Sequence, residues 1–88
     1  MKRLELEKPF RKKSKKLLQK NPTLKETFED LLNKLSNNPF DPTLHTHPLT
    51  GELQGKYACS LTHDLRIIFR MYDDIVHLLD IGSHDEVY

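Results

Sequence analysis

The sequence predicts an α+β fold in which a short N-terminal strand and a helical hairpin precede a three-stranded antiparallel meander. The first part of the chain carries apolar residues at helical spacing, whereas after Gly55 the apolar period becomes two. Asparagine and proline separate the two helical segments, and short turn-like segments separate the β-rich ones. With 88 residues, the chain is expected to form one domain, residues 1–88, around a small core.

The N-terminal elements are a short strand and a basic helix. Residues 3–6 alternate polar and apolar side chains, which is typical of a half-buried strand. In the segment KPFRKKSKKLLQK that follows, Phe10, Leu17 and Leu18 fall at i, i+7 and i+8, and lysines fill the other face. This pattern predicts an amphipathic helix with one strongly basic face.

A second helix is predicted in the segment NPTLKETFEDLLNKLSNNP. Its apolar residues recur at i, i+4, i+7, i+8 and i+11, and they are Leu24, Phe28, Leu31, Leu32 and Leu35. Thr23 and Glu26 have the spacing of a capping box at its start. The Asn-Pro pair at 21–22 separates the two helices, which predicts an antiparallel hairpin, and residues 37–39 end the second one.

The remainder of the chain is predicted to be a loop followed by the meander. The segment FDPTLHTHPLTGELQG shows no periodicity, whereas KYACSL, LRIIFRMY and DIVHLLDIG are β-rich and separated by short joints. In the middle strand the apolar residues alternate with Arg66 and Arg70, so one face packs on the helices and the arginines point outward. His77 shares one alternating face of its strand with Ile75, Leu79 and Ile81, which predicts a structural strand residue.

Charge is strongly segregated along the chain. Residues 1–20 hold nine lysines or arginines against Glu5 and Glu7, a net of +7, whereas residues 21–88 have a net of −6. A basic segment of this kind binds phosphates or an acidic protein partner. For any single lysine, a solvated helix face is an equally good interpretation.

Several classes of protein are disfavoured by the composition. There is no apolar run long enough to span a membrane and no signal-peptide pattern, so we expect no membrane association and a cytoplasmic location. The single cysteine, Cys59, cannot form an internal disulfide or a zinc-finger framework and is expected in the core of a strand. A metal site on His45 and His47 is an alternative, but the spacing places no third ligand.

The order of elements and three motifs resemble the RelE/ParE superfamily of bacterial toxins, and within it the YafQ-like ribonucleases. The motifs are the HPLTG loop at 47–51, the Arg-aliphatic-aromatic strand at 66–69, and a strand ending in Gly-Ser-His with an aromatic residue four positions later. The resemblance implies a RelE-like microbial ribonuclease fold and a toxin inhibited by a cognate antitoxin. It further implies that the toxin enters the ribosomal A site and cuts messenger RNA (mRNA) there, with no metal or other cofactor.

Candidate catalytic residues follow from this resemblance and from the chemistry of RNA cleavage. Metal-free cleavage needs a base for the 2′-OH, a cation at the phosphate and an acid for the 5′-oxygen. Histidine suits both proton roles because its reference pKa is about 6.5. By resemblance, His47 and His84 occupy the positions of functional histidines and Asp64 that of an aspartate. Arg66 matches a strand arginine that related branches use at the scissile phosphate, and its guanidinium suits a phosphate.

The chain departs from the YafQ-like pattern at one position. These toxins have a further histidine four residues before the aspartate, where this chain has Ser60, while His63 adjoins Asp64. Either His63 substitutes from the turn or one proton role is lost. The predicted catalytic residues are therefore His47, His63, Asp64, Arg66 and His84.

Substrate binding is predicted for the C-terminal tail and for basic side chains. Tyr88 matches the C-terminal aromatic of the family, which stacks on or orients a base. If the last strand ends at Gly82, the tail carries His84 and Tyr88 to the open face of the sheet beside Arg66. The basic residues predicted to bind RNA are Lys12, Lys13, Lys16, Lys56 and Arg70.

Two rival functions stay open. A toxin of the ParE branch would have a similar fold but would bind and inhibit DNA gyrase. The combination of His47, Asp64 and His84 argues against it, because a gyrase inhibitor has no need to retain all three. The third alternative is a catalytically degenerate protein that only binds an antitoxin, which the departure at Ser60 keeps open.

Overall fold

A computed structural model describes all residues from Met1 to Tyr88 and contains a five-stranded mixed sheet with a helical hairpin on one face. In chain order the elements are β1 (Arg3–Leu6), α1 (Lys8–Lys20), α2 (Lys25–Asn37), β2 (His47–Pro48), β3 (Tyr57–Ser60), β4 (Leu65–Tyr72), β5 (Ile75–Ser83) and α3 (His84–Val87). The predicted α+β class, helical hairpin and meander are confirmed. None of the helices has the length and apolar content needed to span a bilayer.

The strands lie in the order β1-β5-β4-β3-β2. The three meander strands pair antiparallel with their neighbours, whereas β1 pairs parallel with β5, with Arg3 opposite Ile75 and Leu6 opposite Leu78. A parallel pair requires a long crossover, and the helical hairpin and the remaining strands provide it. The last strand therefore lies in the interior of the sheet, and the C-terminal residues emerge near its middle.

The main core lies between the sheet and the helical hairpin. Phe10 of α1 and Leu35 of α2 are fully buried against Ile67, Phe69 and Leu78 of the sheet. The Phe10 ring also stacks on that of Phe28, with a centroid distance of 6.0 Å. Since lysines fill the remaining face of α1, this anchoring turns its charge toward solvent.

The capping box predicted at Thr23 and Glu26 is wrong. Residues 22–24 form a 3-10 turn, and α2 begins at Lys25 with Leu24 as its N-cap and no side-chain capping bond. Pro22 has a fixed φ and starts this tighter turn, in which the Leu24 amide donates to the Asn21 carbonyl at 3.0 Å. The helix start is thereby moved beyond Thr23.

A β-bulge in β5 changes which side chains share a face. Ile68 pairs with Asp80, but its neighbour Phe69 pairs with Leu78, so Leu79 is an extra residue in the ladder. One extra residue reverses the alternation beyond it. Ile81 therefore lies in the core on the helix side, and its predicted placement on the face of His77 is wrong.

The segment predicted as a loop contains short regular elements. Two 3-10 turns, Pro42–Leu44 and Gly51–Leu53, flank β2. Asp41 caps the first turn by accepting from the Thr43 backbone amide at 2.9 Å and from its hydroxyl at 2.6 Å. These hydrogen bonds lower the pKa of the Asp41 carboxyl. The ordered segment delivers His47 to the edge of the sheet, opposite Ala58 of β3.

Candidate functional site

The C-terminal turn α3 packs on the open face of the sheet, opposite the helical hairpin. Its Val87 is buried with Ala58 and Ile68 in a second, smaller core cluster. At the end of β5, Gly82 lies directly opposite Arg66 of β4. The tail thus lies on the open face beside Arg66, as predicted, although β5 ends at Ser83 and not at Gly82, and the tail forms a helical turn.

A capping box begins α3. The backbone amide of Glu86 donates to the Ser83 hydroxyl at 3.3 Å, and the backbone amide of Ser83 donates to Glu86 Oε1 at 2.8 Å. The hydrogen bonds from Ser83 lower the pKa of the Glu86 carboxyl. Sequence reasoning missed this turn, although the Ser-x-x-Glu spacing at 83–86 is the signature of a capping box.

The α3 turn brings Tyr88 into contact with both His84 and His47 of β2. The rings of His84 and Tyr88 meet edge to face with centroids 4.3 Å apart, and the Tyr88 hydroxyl lies 3.3 Å from His47 Nε2. The other ring nitrogen, His47 Nδ1, lies 3.2 Å from the carbonyl oxygen of His45. A carbonyl only accepts, so Nδ1 carries a proton, and in the neutral ring Nε2 accepts from the Tyr88 hydroxyl. Burial raises the pKa of Tyr88, against the opposing effect of the positive Arg66, so the phenol stays a donor at neutral pH.

Arg66 is held by the turn between β3 and β4 and keeps donors available. Its Nη1 donates to the carbonyl oxygens of Thr62 at 3.0 Å, His63 at 2.9 Å and Leu65 at 3.3 Å. The other guanidinium nitrogens make no hydrogen bond within the protein, and no carboxylate forms an ion pair with Arg66. A half-buried guanidinium with free donors is suited to bind a phosphate.

An open cleft of about 480 Å³ lies between His47 of β2 and the turn that joins β3 to β4. It is lined by three histidines, one arginine and four further residues, which are His45, His47, His63, Arg66, Thr43, Ser60, Leu61 and Thr62. Ser60 stands opposite Arg66 in the β3–β4 pairing. The structure thus places His63 on the same cleft as Ser60.

Two predicted site residues, His84 and Tyr88, do not line this cleft and are connected to it through the contact of Tyr88 with His47. Three further predicted site residues join neither the cleft nor this contact. Asp64 is exposed in the turn before β4 and makes no hydrogen bond or ion pair through its carboxylate. Arg70 lies four residues from Arg66, about 13 Å along the strand, and its Nη1 donates to the Tyr72 hydroxyl at 2.8 Å. Lys56 precedes β3 and does not line the cleft.

The basic face of α1 reaches the C-terminal turn. A groove of about 230 Å³ is lined by Lys13, Lys16 and Lys20 together with Gly82 and Glu86. Lys12 and Lys16 are exposed, whereas the ammonium of Lys13 is paired with the Asp80 carboxylate at 2.7 Å. Of the three α1 lysines predicted to bind RNA, Lys12 and Lys16 are therefore the ones without a carboxylate partner.

Cys59 and His77 have structural environments. Burial raises the pKa of the Cys59 thiol to about 12, and its predicted place in the core is confirmed. His77 Nε2 lies 2.8 Å from Glu7 Oε1 and connects β5 to the start of α1. Neither side chain lines the cleft.

Comparisons with known proteins give a consistent result. A family model described as the bacterial toxin of type II toxin–antitoxin systems, YafQ, matches residues 2–88. A copper-bound mutant toxin from Helicobacter pylori is 29% identical, with 100% of both chains covered and a TM-score of 0.86. Among curated proteins, no sequence matches significantly.

Two more distant solved structures share the fold. The YafQ toxin in the E. coli DinJ-YafQ complex is 22% identical, covers 100% of this chain and 99% of its own, and has a TM-score of 0.80. A YoeB/ParE toxin from Agrobacterium tumefaciens is 17% identical, covers 93% of this chain and 98% of its own, and has a TM-score of 0.82.

In this protein, no group of three histidine, cysteine or carboxylate side chains is placed to hold a metal ion.

Proposed function

Because the chain belongs to the YafQ family of bacterial toxins from type II toxin–antitoxin systems, we propose that it is a ribosome-dependent endoribonuclease that cleaves mRNA. The contact of His47 with Tyr88, and of Tyr88 with His84, carries this proposal. It joins two histidines that are distant in sequence on one face of the sheet, near a guanidinium with free donors. That set supplies the base, the acid and the cation that metal-free cleavage requires.

His47 acts as the base in this mechanism. Its Nδ1–H is directed at the His45 carbonyl, which leaves the lone pair of Nε2 toward the side where the Tyr88 hydroxyl lies. The substrate 2′-OH replaces the Tyr88 hydroxyl at Nε2, transfers its proton there, and its oxygen forms a bond to phosphorus. Tyr88 is then free to place its ring against a base of the RNA.

Arg66 and His84 act on the other side of the phosphate. The free donors of Arg66 stabilise the negative charge that develops on the phosphate oxygens. His84 donates a proton to the 5′-oxygen as its bond to phosphorus breaks, leaving a 2′,3′-cyclic phosphate and a 5′-hydroxyl. The exposed His84 ring is accessible to substrate from solvent.

The remaining predicted residues have supporting roles in this proposal. His63, on the rim of the cleft, takes the contact to RNA that the missing histidine at position 60 cannot make. Asp64, exposed beside it, orients the substrate, and Lys56 and Arg70 bind flanking phosphates away from the cleft.

The partners in this proposal are the ribosome, its mRNA and a cognate antitoxin in the bacterial cytoplasm. The related E. coli YafQ is known in complex with the antitoxin DinJ, which supports an antitoxin for this chain. The free edges of the sheet and the basic face of α1 are accessible to such a partner. We expect the antitoxin to keep the toxin inactive until it is removed.

Primer extension on mRNA after induction of the toxin tests the proposed function. The expected result is a set of new 5′-ends within translated reading frames, and none in the same transcript when its start codon is removed. Plasmid supercoiling is measured in the same cells. Altered supercoiling with intact mRNA would support a gyrase inhibitor in place of a ribonuclease.

The basic face of α1 is expected to bind ribosomal RNA phosphates. Replacing Lys12, Lys15 and Lys16 with glutamate should weaken ribosome binding, because contacts to RNA phosphates are lost. Affinity falls as salt rises, and each lost contact should make this dependence shallower by about 0.7 to 0.9 in the slope of log affinity against log salt. Lys13 is left unchanged because it pairs with Asp80. Affinity is measured at several salt concentrations.

A matched control for this prediction lies on α2. Lys12→Glu and Lys25→Glu make the same charge change at exposed helical positions on the two helices. Only Lys12→Glu should reduce the salt slope. Equal effects of the two variants would show that net charge, and not the α1 surface, governs binding.

A further inference from the structure

We propose that Ser83 and Glu86 are positioning residues whose reciprocal hydrogen bonds fold the C-terminal turn into the shape that the reaction needs. The inference rests on the proposed ribonuclease function, in which His84 and Tyr88 take part. Terminal residues ordinarily fray unless other groups hold them. Here two bonds between Ser83 and Glu86, at 2.8 and 3.3 Å, close the turn at its start.

The turn has a second fixed point in the core. Val87 is packed with Ala58 and Ile68, and the Tyr88 amide donates to the His84 carbonyl at 3.0 Å. Side chains four residues apart lie on the same face of a helical turn. His84 and Tyr88 are therefore held ring to ring, and Tyr88 reaches His47 before any substrate binds.

Gly82 allows this turn to fold back so closely. A Cβ at this position would lie 3.1 Å from Glu86 Cβ and 3.3 Å from both Glu86 Oε1 and Val87 Cγ1. Any larger residue would thus press on the carboxylate of the capping box and on the apolar anchor together. The turn is therefore held by four residues together, and they fix the position of the rings of His84 and Tyr88. These residues are Gly82, Ser83, Glu86 and Val87.

Two pairs of variants separate geometry from charge. Ser83→Ala removes the hydroxyl that accepts from the Glu86 amide, whereas Ser83→Thr keeps a hydroxyl there. Glu86→Ala removes the carboxylate that accepts from the Ser83 amide, whereas Glu86→Gln keeps an accepting oxygen without the charge. We expect both alanine variants to lower kcat for mRNA cleavage by about tenfold to a hundredfold with little change in KM, because misplaced catalytic groups slow the chemical step. Both conservative variants should stay within about twofold of the wild type.

A readout independent of activity is the hydrogen exchange of the Glu86 and Tyr88 amides. Their acceptors are the Ser83 hydroxyl and the His84 carbonyl, so exchange should accelerate in the alanine variants and not in Ser83→Thr or Glu86→Gln. Alanine variants that exchange and cleave like the wild type would overturn the inference. If the wild type itself leaves mRNA intact, the proposed function fails, and the exchange data alone decide whether Ser83 and Glu86 position the turn.

Discussion

Replacing His84 with alanine is expected to abolish mRNA cleavage and growth arrest while antitoxin binding stays near that of the wild type. A general acid or base contributes about a hundredfold to ten-thousandfold in rate. The side chain is exposed at the first residue of α3, so its removal leaves the core unchanged. The effect should therefore appear in kcat, measured by single-turnover cleavage on programmed ribosomes.

His77→Ala is the matched control for this variant. His77 is paired with Glu7 at the junction of β5 and α1 and, unlike His84, has no contact with Tyr88, so its loss should lower the melting temperature and spare the cleavage rate. If His84→Ala still arrests growth and plasmid supercoiling changes while mRNA does not, the gyrase-inhibitor interpretation is supported. The catalytic assignments of the histidines would then have to be withdrawn.

Sequence periodicity predicts well the elements whose side chains divide regularly between two faces. The anchoring of α1 by Phe10 and the alternation in β4 follow directly from spacing. The two-residue strand β2 has no such pattern, because its conformation is set by pairing with β3. The bulge at Leu79 is equally hidden, since an alternating strand and a bulged one differ only in the partner that each residue meets.

Capping boxes show how local context decides between identical signatures. The spacing at Thr23 and Glu26 and that at Ser83 and Glu86 both fit the motif, but only the second forms. In the first case Pro22 precedes the threonine and starts a 3-10 turn. In the second case the strand ends at Ser83 itself, whose backbone is extended, and this is the conformation that an N-cap requires.

The candidate site could be predicted from sequence only through the resemblance to a family. His47 and Tyr88 are separated by 41 positions, and their contact depends on β2 lying at the sheet edge while α3 folds back over the open face. No periodicity encodes that meeting. The alternation of β4 placed Arg66 and Arg70 on the same outward face, but they lie four residues apart, which separates the two guanidinium groups along the strand.

Arg66→Ala is expected to reduce the cleavage rate by about a hundredfold to a thousandfold, the range for losing a donor that stabilises developing charge. Arg66→Lys should recover part of this loss, because an ammonium restores the charge but cannot reproduce the guanidinium fork. Since Arg66 also bonds the carbonyls of Thr62 and His63, the melting temperature of each variant must be measured alongside the rate.

Arg70→Ala is the comparison that makes this prediction specific. Arg70 lies on the same strand with the same outward direction, yet its guanidinium bonds Tyr72 and not the turn beside the cleft. Its loss should weaken RNA binding and raise KM while leaving kcat close to that of the wild type. If the two variants lose activity equally, and through KM alone, Arg66 is one more phosphate contact. The cation that stabilises the transition state would then have to come from the ribosome or the RNA.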